Sequence, residues 1–441
     1  MALRPRLFAA CIHVFACFSL ATALLPRTAS AEKVLVKGDN WDVYTDGRVG
    51  AFLSWSVGDG APVATKIITM PDGSMVPEVI NGGQWPVSAK NDSENSQGSV
   101  NTMRVRSGFI GNALGVGVRS EVYPGLKASA YIQMWAFVES EGKNKSLPNN
   151  ADVRQGYGKL EGRWGSFLAG RTRTLFSRGA TDINVLYAHR WGVGFPNKID
   201  SNGPTQGMVG FGVLGSGFGA GLIYGTPVLA GFQLNVGLFD PTALGAGGWS
   251  RTQLPRGEAE LTFERPFGSL GKVVLFANGA YQKVYKAGYC VASAANGPCD
   301  ETAEGVGYGG RLEVGPVHLG VAGHYGKGLG LSYALENSYA AMDTLNNLRT
   351  FDGYYAQAQV VLRQFDLFAG WGITRVFLTE LDKTQPQYSN IKNQIGINGG
   401  VVYNLSENVH FDLEYMRAEA HWWLGEKQVL NNFATGMTVN W

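Results

Sequence analysis

The sequence predicts an all-β fold, a transmembrane antiparallel β-barrel of about sixteen strands. Three observations carry that expectation: a composition rich in glycine and aromatics, apolar residues recurring at every second position, and connectors that are alternately short and long. The chain has 441 residues, among them 61 Gly, 18 Tyr, 22 Phe and 11 Trp. Both groups are weak helix formers. Charged residues make up only 16%, against roughly 25% in ordinary globular domains. A mean hydropathy of −0.06 excludes a multi-helix membrane protein. A net charge of +2 leaves no concentrated basic surface for nucleic acid.

The first segment is set apart from the fold. Arg4 and Arg6 precede an apolar run from Leu7 to Leu25, and Ala29-Ser30-Ala31 supplies a small-x-small cleavage pattern before Glu32. This is the layout of a secretory signal peptide over residues 1–31, leaving 32–441 as a single barrel domain. An uncleaved anchor is the rival reading, since the run is long enough to span a bilayer. Cleavage removes three arginines and no acid, taking the net charge from +2 to −1, and it removes Cys11 and Cys17. The remaining pair, Cys290 and Cys299, lies in one short segment. Export to an oxidising compartment favours a local disulfide. A zinc site is disfavoured, because no histidine lies nearby and two thiolates are an incomplete ligand set.

The strands follow from alternation. Phe232, Leu234, Val236 and Leu238 interleave with Gln233 and Asn235, and Ala259, Leu261 and Phe263 with Glu258, Glu260 and Thr262. Val317, Leu319, Val321 and Tyr325 alternate with His318, Gly320, Ala322 and His324. Ala356, Ala358, Val360 and Leu362 have Gln357 and Gln359 between them, and Val409, Phe411, Leu413 and Tyr415 have His410, Asp412 and Glu414. The uncharged stretch Val209–Phe232 reads as strand rather than helix, with glycines at 215, 217, 219 and 221 and a turn at Pro227. Strands are expected near 41–57, 100–112, 114–122, 126–139, 152–163, 165–173, 208–224, 230–239, 256–266, 271–286, 305–315, 317–327, 351–363, 366–380, 391–404, 408–422 and 428–441. Joining 100–112 to 114–122 makes the even count of about sixteen that such barrels favour.

Tight connectors at Tyr123-Pro124-Gly125, Thr226-Pro227, Gly315-Pro316 and Leu405–Asn408 take turns with long ones at 59–99, 240–256, 287–304, 328–350 and 381–390. In an antiparallel meander this sorts short turns to one end and long loops to the other, the asymmetry of outer-membrane barrels with short periplasmic turns. A soluble propeller would show a repeat of about 40–50 residues, and none is present. Trp41, Tyr44, Trp55, Trp135, Tyr354, Trp422 and Trp423 lie near strand ends, as interfacial girdles require. A barrel of this size leaves a water-filled lumen.

Other signals carry little. Gly210-x-Gly212-x-x-Gly215 has no helix behind it and is no dinucleotide site. His318 and His324 are six residues apart on one strand, about 20 Å, and cannot share a metal. They read as lumen-facing polar residues. No catalytic residue, metal ligand or cofactor is expected, although a Ser-His barrel hydrolase assembled by folding remains a competing reading.

Several segments resemble the general diffusion porins of Gram-negative bacteria. The final strand, Gln428–Trp441, carries Phe433, Met437, Val439 and Trp441 on one face, similar to the C-terminal signal read by barrel-assembly machinery. Phe is commoner at that last position. Asp42-Val43-Tyr44 with Gly47-Arg48-Val49-Gly50, Arg106–Gly111, Arg154–Leu160 and Trp164–Arg171 resemble porin strand segments. The resemblance implies a sixteen-stranded homotrimer in the outer membrane, inserted in its lipid bilayer. Its function would be passive diffusion of ions and small hydrophilic solutes, with the third loop folded into the lumen. By motif position Arg48, Arg106 and Arg154 fall on the arginine ladder of the wall, with Arg104, Arg171 and Arg173 as neighbours. The third loop is placed at 174–207 and contains Arg178, Asp182, His189, Arg190, Lys198 and Asp200. The acidic Pro-Glu-Phe-Gly-Gly segment typical of that loop is replaced by Gly194-Phe195-Pro196-Asn197-Lys198. A constriction near neutrality, or weakly anion-preferring, is therefore expected. The competing functions are a substrate-selective channel and a non-conducting adhesin or structural barrel. In the long first loop, 59–99, Met75, Val76, Pro77, Val79, Ile80 and Trp85 suggest packing.

Overall fold

The structure is a computed structural model. It describes residues 32–59, 67–69, 75–77, 99–107, 111–136, 151–184, 208–244, 249, 253–286, 290–293, 297–335, 339–384, 391–423 and 425–441. The expected signal peptide lies outside the described residues. The chain order is β1 (Lys33–Lys37), β2 (Asp42–Asp59), β3 (Ile67–Thr69), β4 (Met75–Pro77), β5 (Ser99–Arg106), β6 (Asn112–Tyr123) and β7 (Leu126–Ala136). There follow β8 (Ala151–Gly162), β9 (Gly165–Arg173), β10 (Phe218–Gly225), β11 (Phe232–Phe239), β12 (Arg256–Pro266) and β13 (Gly271–Tyr285). The last are β14 (Asp300–Val314), β15 (Val317–Lys327), β16 (Thr350–Leu362), β17 (Phe365–Phe377), β18 (Ile391–Asn404), β19 (Val409–Trp422) and β20 (Lys427–Asn440).

Consecutive strands pair antiparallel, and β20 returns to β2 from Arg48↔Asn440 to Gly58↔Leu430, closing the sheet. Closure leaves no unpaired edge in lipid. β5 and β6 count as one strand, because both run along β2, β5 from Asp59↔Ser99 to Phe52↔Arg106 and β6 from Arg48↔Ala113 onward. At the interruption the Gly50 N–H donates to Asn112 Oδ1 at 2.7 Å. The result is a sixteen-stranded barrel. The extra strand β1 pairs with β2 at Asp42–Thr45 beyond the end of β20, and β3 and β4 form a separate hairpin within the first loop. No helix among the described residues is long and apolar enough to cross a membrane.

The two faces invert the usual rule of burial. Phe232, Leu234, Val236 and Leu238 are exposed, as are Leu319, Val321, Phe411 and Leu413. Glu258, Glu260, Gln357, Gln359 and Asp412 on the other face are buried. Lipid is the solvent for the first set, and the lumen and its packed loops receive the second. Alternation survives because the outward face must be apolar over its whole height.

Two expectations change. Of the strand expected at 208–224 only residues 218–224 join the sheet, within β10 (Phe218–Gly225). Met208, Val209, Phe211 and Val213 are almost fully buried inside the barrel instead. Glycine spacing there serves close approach to the wall rather than a strand ladder. Of the girdle candidates, Trp41, Trp55, Tyr354 and Trp423 are exposed, whereas Tyr44 and Trp422 are buried. Trp135 also belongs to the inner face, since its indole N–H donates to the Gln133 side chain at 3.0 Å. Position near a strand end does not set the face; parity does.

The long-loop end of the lumen is lined by apolar packing. Leu244, Trp249, Leu329, Leu331, Leu335 and Leu348 from loops join Val284, Phe351, Val376 and Trp422 from the wall in one buried cluster. Cys290 and Cys299 are disulfide-bonded in the β13–β14 loop.

The seam closes at Trp441. Gly47 N–H donates to the Trp441 carbonyl at 3.1 Å, and Trp441 N–H to the Gly47 carbonyl at 3.0 Å. A Cβ on Gly47 would land on the Trp441 ring and within 2.7 Å of the Ala113 carbonyl oxygen. Trp441 stands at the seam and Ala113 on β6, the strand on the other side of β2, so Gly47 is enclosed from both sides. Gly47→Val is expected to lower the yield of assembled barrel severalfold, read as the heat-modifiable band in semi-native electrophoresis. Wild-type yield would refute the steric argument.

Candidate pore constriction

The described parts of the segment between β9 and β10, residues 174–184 and 208–217, lie inside the barrel, and the neck is built from named contacts. Thr174 N–H donates to the Gly217 carbonyl at 3.0 Å, bringing the two ends together. The folded-in segment thus extends to Gly217, ten residues beyond the expected boundary at 207. Glu258 on the inner face of β12 accepts the backbone N–H groups of Leu175 at 2.7 Å and Phe176 at 2.8 Å. Its other oxygen meets Arg256 Nε at 2.7 Å, and both side chains are almost fully buried. Two residues along β12, Glu260 accepts from Arg178 Nε at 2.9 Å. A carboxylate accepting several N–H bonds is strongly held, so β12 anchors the segment at its root.

Arg178 opens a short helix, Arg178–Ile183. Arg173, the last residue of β9, turns to this helix and donates to Asp182 Oδ1 at 2.6 Å and to Ser216 Oγ at 3.3 Å. The far side of the helix is held by the wall. Tyr355 O–H donates to the Ala180 carbonyl at 2.9 Å and Gln357 Nε2 to the Ile183 carbonyl at 2.6 Å. The returning chain docks through Gly212 N–H onto Thr374 Oγ1 at 2.9 Å. Phe211 lies against β17 and β18, where a Cβ on Gly372 or Gly396 would collide with its backbone or Cβ. These two glycines open the space that the phenylalanine occupies.

The opposing wall, β2 and β6–β9, carries a hydrogen-bonded ladder. Tyr131 O–H donates to Asp46 Oδ1 at 2.8 Å, Gln133 Nε2 to Tyr131 Oη at 3.0 Å and Gln155 Nε2 to Gln133 Oε1 at 3.2 Å. Arg154 is the extra residue of a β-bulge, since Gln133 faces Gln155 while Met134 faces Val153. A bulge re-aims a side chain: Arg154 lies 4.8 Å from the Trp135 ring centroid and 3.0 Å from Asp152 Oδ2.

The expected site residues therefore separate. Arg173, Arg178 and Asp182 are brought together at the neck. Arg48 is half-buried on the wall and donates from Nε to the Gly111 carbonyl at 3.3 Å. Arg171 departs from expectation. It is exposed, opposite Ala220 and on the row of Phe167, while Thr172 takes the inner side and donates to Gln155 Oε1 at 3.1 Å. Strand parity puts it off the lumen face. The side chains of Arg104 and Arg106, and all of His189, Arg190, Lys198 and Asp200, lie outside the described residues. Arg256, Glu258 and Glu260 were not singled out from sequence. The only signal there was three ionisable residues on one parity of a strand.

A family model described as Gram-negative porin matches residues 16–421. The chain belongs to the Gram-negative porins. It is an outer-membrane channel for diffusion of small solutes. Sequence comparison with curated proteins finds no match. Among solved structures, this porin is similar to the outer membrane channel DcaP of Acinetobacter baumannii, with TM-score 0.63 and 15% identity over 93% of this chain and 100% of that one. The anion-selective porin from Comamonas acidovorans gives TM-score 0.56 and 14% identity over 91% and 100% of the two chains. OmpF of Salmonella typhi, in complex with daunomycin, gives TM-score 0.52 and 11% identity over 92% and 99%. At these identities the likeness speaks for the fold. The porin's lumen is narrowed by its own chain, which is fastened at the neck by ion pairs and at the far wall by packing.

Proposed function

We propose that this porin is a homotrimeric, non-enzymatic diffusion channel whose constriction is close to neutral, with a weak preference for anions. The pairing of charge at the neck carries this reading. Arg173 has Asp182, Arg178 has Glu260 and Arg256 has Glu258. On the facing wall Arg154 has Asp152. Paired charges attract neither ion strongly, and ion preference in a wet pore follows the unbalanced charge of its rings. By motif position Arg48, Arg104 and Arg106 fall on the arginine ladder of the porin wall, which supports the anion side of this reading. The anion-selective porin from Comamonas acidovorans shares the fold.

The test is the reversal potential of the purified porin in a planar bilayer under a potassium chloride gradient. A small potential on the anion side is expected, and a clear cation potential would refute the charge argument. Conductance steps arriving in threes support the trimer, and single steps count against it. Residues 1–31 act as a signal peptide in this reading, so the intact mass of the exported protein should begin at Glu32. Phe433, Met437, Val439 and Trp441 would then serve as the signal for barrel-assembly machinery, and truncating Trp441 should reduce assembly.

A further inference from the structure

A second loop reaches the folded-in segment from the long-loop end. The β15–β16 loop leaves the wall at Gly328, whose N–H donates to the Arg349 carbonyl at 2.8 Å and so closes the loop at its base. Leu329, Leu331 and Ser332 are almost fully buried. The chain then runs alongside the returning arm of the folded-in segment, where Gly215 and Tyr333 form a parallel bridge. Gly215 N–H donates to the Ser332 carbonyl at 2.7 Å, and Ala334 N–H donates to the Gly215 carbonyl at 3.0 Å. Hydrogen bonds to both sides of one residue are the unit of a parallel ladder. The two segments are therefore held in register and not merely in contact.

The residues that follow fix the geometry. Leu335 has φ 58°, a left-handed conformation uncommon for any residue but glycine. Its side chain is buried, its N–H donates to the Leu329 carbonyl at 2.7 Å and its carbonyl accepts from Thr242 Oγ1 at 2.9 Å. Strained backbone persists where its surroundings over-determine it, and here it sets the turn two residues after Tyr333. Between buried Ser332 and buried Leu335, Tyr333 is only half-buried. It packs against the cluster that contains Ile183, Val213 and Phe276. A Cβ on Gly215 would stand 3.0 and 3.1 Å from two of its ring carbons, so the ring lies along the arm. The next residue of the arm, Ser216, meets Arg173 Nε through its Oγ at 3.3 Å. Arg173 in turn holds Asp182, half of whose side chain is exposed at the neck.

We propose that the β15–β16 loop is a second constricting element and that Tyr333 sets the size limit of the path for uncharged hydrophilic solutes. The proposal rests on the diffusion reading and is independent of the charge balance at the neck. A phenol carries no charge at neutral pH, so Tyr333 acts on the bulk of a solute and not on the sign of an ion. A ring fixed by backbone pairing narrows a passage reproducibly, whereas a loosely held one would yield to a large solute.

Liposome swelling with the intact purified porin is the test, with arabinose, sucrose and raffinose as solutes of increasing size. Tyr333→Ala is expected to raise the raffinose-to-arabinose rate ratio severalfold, and Tyr333→Trp to lower it. Tyr333→Phe keeps the ring and should stay at the wild-type ratio. The reversal potential in a potassium chloride gradient should be the same in all of them. Tyr333 stands outside the wall ladder, so the variants are expected to assemble. If Tyr333→Ala does not, Tyr333→Trp decides alone: a lowered ratio supports the proposal and an unchanged one overturns it. An unchanged ratio in both variants also overturns it. So does a shift in the same direction in both, because damaged packing rather than ring size would then be at work. Uptake of arabinose by the wild type separates these failures from failure of the diffusion reading, which would show as no uptake at all and would overturn the proposal with it.

Discussion

Replacing Glu258 with alanine is expected to release the root of the folded-in segment and to raise single-channel conductance and its noise. Glu258 satisfies the N–H groups of Leu175 and Phe176 and neutralises a buried Arg256. Its removal orphans two donors and strands one buried cation. Breaking a buried pair from one side costs about 3–5 kcal/mol, and each lost acceptor adds about 1–3 kcal/mol. The barrel wall does not depend on this carboxylate, because the β11–β12–β13 ladder is made by backbone. The variant should therefore still form a barrel while its constriction loosens. Glu258→Gln retains one acceptor oxygen and should fall between the two. Bilayer recordings of the three proteins decide the matter, and identical conductance in all of them would refute the anchoring role.

The second large effect concerns the loops above the lumen. Arg349, just before β16, makes a two-pronged contact with Asp382 in the β17–β18 loop, at 2.8 Å from Nε and 2.9 Å from Nη2. Both side chains are only 4% exposed. Arg349 also donates to the Ala340 carbonyl at 3.2 Å, and Asp382 accepts the Thr379 N–H at 3.0 Å. The pair thereby ties two external loops together. Burial alone would raise the Asp382 carboxyl, but the hydrogen bonds and charge of Arg349, aided by Thr379, outweigh it and hold it below the usual carboxylate range. A depressed carboxylate stabilises fully above its unfolded value, about 4. That stabilisation is lost only as pH falls through the lower folded value. The clamp should hold unchanged from pH 7 to pH 5 and weaken below pH of about 4. Asp382→Ala should cost about 3–5 kcal/mol at neutral pH, and Asp382→Asn should remove most of this acid dependence. Thermal unfolding against pH for the three proteins is the measurement, and parallel acid profiles for wild type and Asp382→Asn would refute the assignment.

Much of the wall was legible because one physical demand, a largely apolar face toward lipid, is written at every second residue of most strands. Arg256–Pro266, Val317–Lys327 and Ile391–Asn404 have the bounds that alternation predicts. The pieces 100–112 and 114–122 belong to one barrel strand, as the even count required. Met208–Gly217 was misread for an equally physical reason. Its alternation of glycine with apolar residues is shared by true strands, and local sequence does not distinguish burial under lipid from burial within the lumen. Glu258 and Glu260 were read as ordinary inner-face polar residues, since their partners Leu175, Phe176 and Arg178 are about eighty residues away. Arg171 failed by one step of parity. The bulge at Arg154 was invisible because it exists only in the register between β7 and β8.

The seam between β2 and β20 has a consequence in time. It joins residues such as Ser56 and Asn432, a separation of 376. The other wall pairings join strands that are consecutive in the barrel order, but this one must wait for β20. Until then β2 holds a row of unsatisfied donors and acceptors that will pair with whatever strand is offered. The interval between delivery of β2 and arrival of β20 is therefore the porin's period of greatest exposure to misassociation. Topologies dominated by distant pairings are intrinsically slow to complete. Survival through that delay is a matter of escort and sequence of events rather than of final stability.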